Sequence, residues 1–326
     1  MRAVIPVAGV GTRLRPHTYS QPKVLLNVGG KPILGHILDA LQEQKVMKAT
    51  IITGYMGSQV REYVTKKYSG MEFDFVEQKE RLGLGHAIRT GEETFGDEPL
   101  LIILGDTIFD VDLSLAVKSG NSSLGVKHVD NPARFGVVVL DDDLKVRKMI
   151  EKPQEPVSNL ALVGLYYIKN PKMLVNALEE LITKDIKTKG EYQLTDALQI
   201  MVDKGEVFDT FPVDGWYDCG KAETLLSTNR FLLDQKTTKR DFGDSIIIPP
   251  VFIDPNASVQ RSVIGPYASV AEGAEVKDSI IKNSIVSYGA QVRSSLLHES
   301  IIGNDAIVNG NFQRINLGNS SEIDHS

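Results

Sequence analysis

The residues best suited to phosphate chemistry lie close to the N-terminus. The segment Gly9-Val10-Gly11-Thr12-Arg13 follows a short apolar run at residues 2–7, and Lys23 comes soon after it. Backbone N–H groups of a glycine loop can cradle phosphate oxygens, and cationic side chains strengthen such binding. The loop is not a dinucleotide fingerprint, because position 14 is leucine, nor a P-loop, because no Gly-Lys-Ser/Thr follows. An NAD-dependent dehydrogenase is therefore excluded, while a phosphate site and a plain tight turn both remain open.

The composition excludes several other classes of protein. Among 326 residues, 36 are Lys or Arg and 42 are Asp or Glu, a net charge of −6, which gives no reason to expect nucleic acid as a partner. No apolar run approaches the roughly 20 residues of a membrane span, and the N-terminus lacks the features of a signal peptide. Cys219 is the single cysteine. We expect a cytoplasmic protein of about two domains with no membrane partner.

The first two thirds of the chain alternate between strand-like and helix-like segments. Apolar runs without alternation, separated by amphipathic helices, predict a doubly wound α/β domain with a Rossmann-like, mixed and mostly parallel sheet. The predicted strands are residues 2–7, 49–53, 73–76, 100–104, 136–140 and 162–168, and the predicted helices are 33–41, 60–64, 173–182, 193–202 and 222–233. Ligands of such sheets bind beyond the carboxyl ends of the strands. The loops after Val7 and Leu104 are therefore the first candidates for a site.

A different pattern begins near residue 245. Apolar residues recur every five or six positions, and three such steps usually span 16 or 17 residues. They are Ile253, Val259, Ile264, Val270, Val276, Ile281, Val286, Val292, Leu297, Ile302 and Val308. This hexapeptide repeat predicts about three coils of a parallel β-helix, left-handed as is usual for the repeat class. A β-sandwich would show a period of two, which is absent.

Five short motifs follow one another along the chain. They are GVGTRLRPHTYSQPK at residues 9–23, Leu104-Gly105-Asp106, Phe135-Gly136-Val137-Val138, Glu151-Lys152-Pro153 and Trp216-Tyr217-Asp218-Cys219-Gly220. In their residues and their order they resemble the motifs of the sugar-1-phosphate nucleotidyltransferases, a family that includes the glucose-1-phosphate thymidylyl- and uridylyltransferases. The resemblance implies a catalytic domain at residues 1–240 and a left-handed β-helix at 245–310, followed by a tail at 311–326. It also implies transfer of a nucleotidyl group from a nucleoside triphosphate to a sugar 1-phosphate, releasing pyrophosphate.

The resemblance also assigns roles to individual residues. They are Arg13 and Lys23 for catalysis; Ala8, Gly9, Gly11, Thr12, Gln78 and Gly83 for the nucleotide; Asp106 and Asp218 for Mg²⁺; and Gly136, Glu151, Lys152, Glu191 and Trp216 for the sugar phosphate. Gln78 and Gly83 are spaced as a pair that reads the base, which favours a pyrimidine. One hard cation bound by two carboxylates and phosphate oxygens suits this set.

Several alternatives stay open at the level of sequence. Glu191 is equally an acidic helix-start residue, Trp216 a core residue and Gln78 an edge-strand residue. Thymine and uracil differ by one methyl group, so we expect both dTTP and UTP to be used, with glucose 1-phosphate as the leading sugar. A catalytically silent regulatory relative is the main alternative function. A second activity, as an acyltransferase, would need a longer β-helix and a catalytic base, and His298 is the only histidine within the repeats. We also expect a homo-oligomer, a dimer or tetramer, that uses the β-helix.

Overall fold

The computed structural model describes residues 1–235, 238 and 241–310. The chain divides into two compact units, one formed by residues 1–26 and 31–225, and the other by residues 27–30 and the chain from 226 onward. The sequence-based limits of 1–240 and 245–310 stay predictions, and the proposed tail at 311–326 lies outside the described residues. Among the described helices, none combines the length and hydrophobicity needed to cross a bilayer.

The elements up to residue 235 largely follow the predicted alternation. The strands are β1 (Arg2–Pro6), β2 (Asn27–Val28), β3 (Lys31–Pro32), β4 (Lys48–Thr53), β5 (Glu72–Glu77), β6 (Leu100–Ile103), β7 (Thr107–Asp110), β8 (Ser122–His128), β9 (Gly136–Leu140), β10 (Val146–Glu151), β11 (Leu160–Ile168), β12 (Phe208–Pro212) and β13 (Gly215–Asp218). The helices are α1 (Ile33–Glu43), α2 (Gly57–Lys67), α3 (Leu84–Thr90), α4 (Ser114–Val117), α5 (Pro171–Thr183), α6 (Leu194–Asp203) and α7 (Ala222–Gln235).

The main sheet of the first unit has the order β10-β9-β11-β6-β1-β4-β5, with β8 beside β11 and β12 beside β8. Strands β6, β1, β4 and β5 form a parallel block. Strand β11 runs antiparallel to its neighbours β6, β8 and β9, and β10 runs antiparallel to β9. All the other strands of this sheet share one direction. The predicted mixed, mostly parallel sheet is confirmed.

Helices cover both faces of this sheet, because each strand sends alternate side chains to opposite sides. Ala3 and Ile5 of β1 lie in one core with the apolar stripe of α1, whereas Val4 lies in a second core on the other face. That second core contains the apolar sides of α3, α5 and α6. Two cores on the two faces of one sheet define the doubly wound arrangement that the sequence predicts.

The second unit contains a β-helix over the predicted repeats. Its strands are β14 (Ile246–Ile247), β15 (Val251–Ile253), β16 (Ser258–Gln260), β17 (Val263–Ile264), β18 (Ala268–Val270), β19 (Glu275–Lys277), β20 (Ile280–Lys282), β21 (Ile285–Val286), β22 (Gln291–Arg293), β23 (Leu296–His298), β24 (Ile301–Ile302) and β25 (Ile307–Asn309). They stack as three parallel four-stranded sheets. Val259, Val276, Val292 and Val308 are in direct register and face the interior. The predicted left-handed β-helix is confirmed.

Candidate active site

The carboxyl ends of neighbouring parallel strands bring three segments of the first unit together. The glycine loop follows β1, Gly105-Asp106 follows β6, and Gln78 follows β5. Since β6, β1, β4 and β5 are parallel, these segments meet at one edge of the sheet, where ligands of such folds bind. A cavity of about 430 Å³ opens there. It is lined by residues that include Ala8, Gly9, Gly11, Thr12, Arg13, Lys23, Gln78, Arg81, Gly83, Asp106 and Glu191.

The glycine loop presents backbone donors that are free to bind an anion. Within the described residues, the N–H groups of Gly9, Val10 and Gly11 donate to no protein acceptor. Gly11 has φ +68, and a Cβ there would lie 3.0 Å from the side chains of both Lys23 and Thr18. A larger residue would therefore be strained and would displace Lys23. The Thr18 hydroxyl donates to the Gly11 carbonyl at 2.8 Å and helps to hold the turn.

A buried lysine and a partly exposed aspartate form an ion pair inside this cavity. The Lys23 Nζ atom lies 2.7 Å from Asp106 Oδ2. The Lys23 side chain is 8% exposed, whereas that of Asp106 is 42% exposed. Lys23 is placed by a short 3₁₀ turn, Lys23–Leu25, and Asp106 by the turn that joins β6 to β7. The pair thus brings a fixed positive charge and an accessible carboxylate to the same point.

Asp218, although distant in the sequence, lies close to Asp106 in the backbone of the folded chain. Strand β13 pairs antiparallel with β7, which sets Asp218 opposite Thr107, next to Asp106 in the chain. The N–H of Cys219 donates to the carbonyl of Asp106 at 3.0 Å and fixes the two turns together. Strand pairing therefore brings the backbones of the two predicted metal ligands close together.

The side chains of Asp218 and Arg13 border the same glycine. A Cβ at Gly220 would lie 2.7 Å from Asp218 Oδ1 and 3.0 Å from an Arg13 guanidinium nitrogen. Across the described chain, no group of three or more His, Cys, Asp or Glu side chains could hold a metal ion by itself. Two neighbouring carboxylates fit a Mg²⁺ ion that takes its other ligands from phosphates and water.

Gln78 and Gly83 form one structural unit in the cavity wall. The Gln78 amide nitrogen donates to the Gly83 carbonyl at 3.1 Å and lies 3.2 Å from His86 Nδ1. Burial lowers the pKa of His86 below its usual range. Gly83 has φ +113, and a Cβ there would come within 2.6 Å of the Tyr192 carbonyl, so no other residue fits. The Gln78 amide is thereby held with its oxygen available as an acceptor.

Four of the five predicted sugar-phosphate residues form a second cluster. Gly136 lies opposite Glu151 in the β9–β10 pair, and the Lys152 N–H donates to the Phe135 carbonyl at 2.9 Å. The rings of Phe135 and Trp216 meet edge to face, with centroids 4.9 Å apart. Trp216 shares strand β13 with Asp218, the predicted metal ligand.

Glu191 lies apart from the other residues assigned to the sugar. It lines the cavity together with Gln78 and Gly83. Its carboxylate accepts a hydrogen bond from the Gln193 side-chain amide at 3.1 Å. The assignment of Glu191 to the sugar therefore stays a prediction. The position of Glu191 beside Gln78 and Gly83 makes binding of the base a second candidate role.

Two residues at these sites escaped the sequence analysis. Arg81 lines the cavity, is exposed, and forms no ion pair or hydrogen bond with the described residues. Its position in the sequence, between Gln78 and Gly83, is the signal that could have identified it as a candidate. Thr195 donates its hydroxyl hydrogen to Glu151 Oε2 at 2.7 Å. No sequence signal could have found this contact, because the two residues are far apart in the chain and meet only in the folded sheet.

Comparisons with known proteins agree with this geometry. The model of the nucleotidyl transferase family matches residues 2–235. The low-salt glycan biosynthesis nucleotidyltransferase Agl11 of Haloferax volcanii is 30% identical over 319 residues, covering 88% of this chain and 87% of the relative. A glucose-1-phosphate thymidylyltransferase of Streptomyces antibioticus is 30% identical over 293 residues, covering 86% of this chain and 81% of the relative.

A solved structure extends the comparison. The structure of a UDP-glucose pyrophosphorylase with UDP-glucose is 26% identical and superimposes with a TM-score of 0.64, covering 72% of this chain and 99% of that one. The family match spans well over half of the chain. The protein therefore belongs to the nucleotidyl transferase family, and its predicted activity as a sugar-1-phosphate nucleotidyltransferase is confirmed at the level of reaction class.

Proposed function

We propose that this enzyme transfers a uridylyl or thymidylyl group from UTP or dTTP to a hexose 1-phosphate, with glucose 1-phosphate as the preferred acceptor. The observation that carries the proposal is the cavity that is lined jointly by the glycine loop, Arg13 and the Lys23–Asp106 pair. Such a concentration of donors and cations suits a triphosphate. Two of the relatives, a glucose-1-phosphate thymidylyltransferase and a UDP-glucose pyrophosphorylase, support the choice of substrates.

The reaction joins two anions, so positioning and charge dominate over acid–base chemistry. A phosphate oxygen of the sugar 1-phosphate attacks the α-phosphorus, a new P–O bond forms, and the bond to the β-phosphate oxygen breaks with release of pyrophosphate. We assign Arg13 and the glycine-loop N–H groups to the leaving pyrophosphate, and Lys23 to the reacting phosphates. Lys152 is assigned to the phosphate of the sugar, and Glu151 to a sugar hydroxyl.

The two aspartates are assigned to a magnesium ion. Asp106 and Asp218 would hold Mg²⁺, which supplies charge neutralisation and orientation of the phosphates when it is bound. The pairing of β7 with β13 sets the backbone of Asp218 opposite Thr107, the neighbour of Asp106, and this supports the assignment. Lys23 contacts Asp106 in this structure. The lysine would exchange this aspartate partner for a phosphate group as the substrate enters.

The arrangement around Gln78 supports a pyrimidine base. Its amide nitrogen is committed to Gly83, which leaves the side-chain oxygen to accept the N3–H of uracil or thymine. A methyl group alters binding by only about 1–3 kcal/mol, so the two bases are expected to compete.

We also propose that the enzyme forms a homo-oligomer through its β-helix. Four apolar residues are in register along one face of the β-helix: Ile246, Val263, Ile280 and Leu296. Of these, Ile246 is 63% exposed, Ile280 47% and Leu296 73%. An exposed apolar column is a common feature of protein interfaces. Whether the assembly is a dimer or tetramer stays open, and the cytoplasmic location stays a prediction from the sequence.

The first experiment measures pyrophosphate release with Mg²⁺ over a grid of five nucleotides, ATP, GTP, CTP, UTP and dTTP, against glucose, galactose, mannose and N-acetylglucosamine 1-phosphates. We expect release with UTP and dTTP, and at least tenfold less with the other nucleotides. The variant Asp106→Asn should lose more than 99% of turnover while keeping its fold by circular dichroism. Asp142→Asn, which changes an exposed carboxylate in the β9–β10 turn, is the matched control.

Each outcome of the grid has a distinct meaning. Release confined to GTP or ATP would contradict the role of Gln78. Wild-type turnover in Asp106→Asn would remove this residue from the metal site. If the folded wild-type protein releases no pyrophosphate with any pair of substrates, the proposed substrates are wrong and a regulatory role is favoured.

A further inference from the structure

The carboxylate of Glu151 is held by a separate donor at each oxygen. Its Oε2 accepts a hydrogen bond from the Thr195 hydroxyl at 2.7 Å, and its Oε1 lies 3.2 Å from Lys152 Nζ. The Glu151 side chain is only 10% exposed. A buried carboxylate with a free rotamer would sample several orientations, whereas two donors on different elements select one.

The Thr195–Glu151 contact lies in a tightly packed place. Thr195 belongs to the first turn of α6 and is 6% exposed. A Cβ at Gly136 would lie 2.9 Å from both Thr195 Oγ1 and Glu151 Oε2, so the absence of a side chain there makes room for the hydrogen bond. Three elements, β9, β10 and α6, therefore fix one carboxylate.

We propose that Thr195 is a positioning residue for the sugar, because it fixes the Glu151 carboxylate in the orientation that accepts hydroxyl hydrogen bonds from the hexose 1-phosphate. This inference rests on the proposed function, which assigns Glu151 to the sugar. A carboxylate offers about four acceptor positions. Thr195 and Lys152 occupy one on each oxygen, and the remaining positions can accept hydroxyls of the substrate. Orientation fixed before binding reduces the entropy lost when the substrate binds.

A neighbouring carboxylate makes the donors more important. Asp196 follows Thr195 in α6, and its pKa is raised by burial and, to a smaller extent, by repulsion from Glu151. The Thr188 side chain, which donates a hydrogen bond to Asp196, opposes this rise. Without the Thr195 hydroxyl, Glu151 would keep the repulsion of Asp196 and lose its only neutral donor among the described residues. The carboxylate would then leave its present orientation, and this change would weaken its hydrogen bonds to the sugar.

Steady-state kinetics of Thr195→Val and Thr195→Ser test the proposal. Valine keeps the size of threonine and removes the donor, so we expect the KM for the sugar 1-phosphate to rise about tenfold, with the KM for the nucleotide within twofold of wild type. Serine keeps the hydroxyl and should restore a nearly normal KM. The control is Thr53→Val, which removes a buried hydroxyl that bonds to the Val76 carbonyl. Thr195→Ala provides a second donor-free variant if valine does not fold.

Deoxysugar 1-phosphates separate positioning from a general structural effect. With the analogue that lacks the hydroxyl bound by Glu151, Thr195→Val should cause no further rise in KM, whereas the other analogues should show the full rise. An active wild-type enzyme whose folded Thr195→Val variant keeps a normal sugar KM would overturn this proposal alone. So would an equal rise of both substrate KM values. A wild-type enzyme inactive with all sugar 1-phosphates would overturn the proposed function and this inference with it.

Discussion

Lys23 and Asp106, 83 positions apart in the chain, form an ion pair of 2.7 Å in the cavity at the carboxyl edge of the sheet. One partner is the proposed phosphate-binding cation and the other is a proposed metal ligand. In the substrate-free protein each therefore satisfies the charge of the other. A triphosphate that attracts Lys23 would release Asp106 for the cation, so nucleotide binding and metal binding should favour each other.

This relationship predicts a gain in metal binding when the lysine is neutralised. An ion pair with one partner 42% exposed contributes about 1 kcal/mol after solvent screening. Lys23→Gln should thus bind Mn²⁺ about fivefold more tightly than wild type without nucleotide, although its turnover falls at least a hundredfold. Titration of Mn²⁺, followed by loss of its free electron paramagnetic resonance signal, measures the affinity. Lys31→Gln, which breaks the partly exposed pair with Asp39, is the control. Equal Mn²⁺ affinity in wild type and Lys23→Gln would show that the pair does not compete with the metal.

Arg81 provides a prediction about the nucleotide alone. It lines the cavity without a partner among the described residues, so its charge is available to an anionic ligand. Arg81→Gln should raise the KM for the nucleotide threefold to tenfold, leave the KM for the sugar 1-phosphate unchanged, and weaken the dependence of nucleotide KM on ionic strength. Initial rates at two salt concentrations measure these effects. Lys79→Gln, an exposed cation two residues away, is the matched control. The same effect in both variants would indicate general electrostatic attraction rather than a contact.

The site residues at strand ends were predictable because two patterns coincide in the sequence. Residue types suited to phosphate or metal binding directly follow the apolar runs that predict strands. The glycine loop and Asp106 each follow an apolar run, and parallel strands bring their carboxyl ends together. The inward positions of the β-helix were equally predictable, since one apolar residue per flat edge sets the repeat. Val259 and Val276, for example, stand in the register that the spacing requires.

Contacts made by antiparallel pairs and by helix packing could not be read from spacing. The position of Asp218 beside Asp106 depends on the pairing of β13 with β7, and it followed from the family resemblance instead. The bond from Thr195 to Glu151 depends on where α6 packs on the sheet. Such partners cannot be predicted from the neighbouring residues in the sequence, because long-range packing determines which residues meet.

The apolar column of the β-helix leads to a prediction about assembly. Ile280 and Leu296 are exposed, although buried positions of the same strands already supply the core. Replacing both with lysine should lower the oligomer mass measured by light scattering and leave the β-sheet circular dichroism signal intact. Ser258→Lys, an exposed change on a different face of the β-helix, should keep the wild-type mass. An unchanged mass in the Ile280→Lys/Leu296→Lys variant would exclude this column as the subunit contact.

Asp196 gives a prediction about stability and pH. Its Oδ2 atom is buried and has no hydrogen-bond partner among the described residues, and its pKa is raised by burial and by Glu151. A carboxyl whose pKa is raised by folding binds protons more tightly in the native state, so its contribution to stability falls as the pH rises above about 4. Asparagine does not titrate. The difference in melting temperature, Asp196→Asn minus wild type, should therefore become more positive between pH 4 and pH 8.

Calorimetry across this pH range measures the trend, and Asp203→Asn in the last turn of the same helix provides the control. Asp196 is also an acidic residue in the first turn of α6, where the helix dipole favours its charge by roughly 0.3–1 kcal/mol. That attraction grows as the carboxyl ionises and opposes the cost of burial. A difference that becomes more negative with rising pH would mean that the dipole outweighs burial and Glu151 together. A positive trend would mean that the site retains a destabilising carboxylate beside Glu151, the proposed sugar ligand.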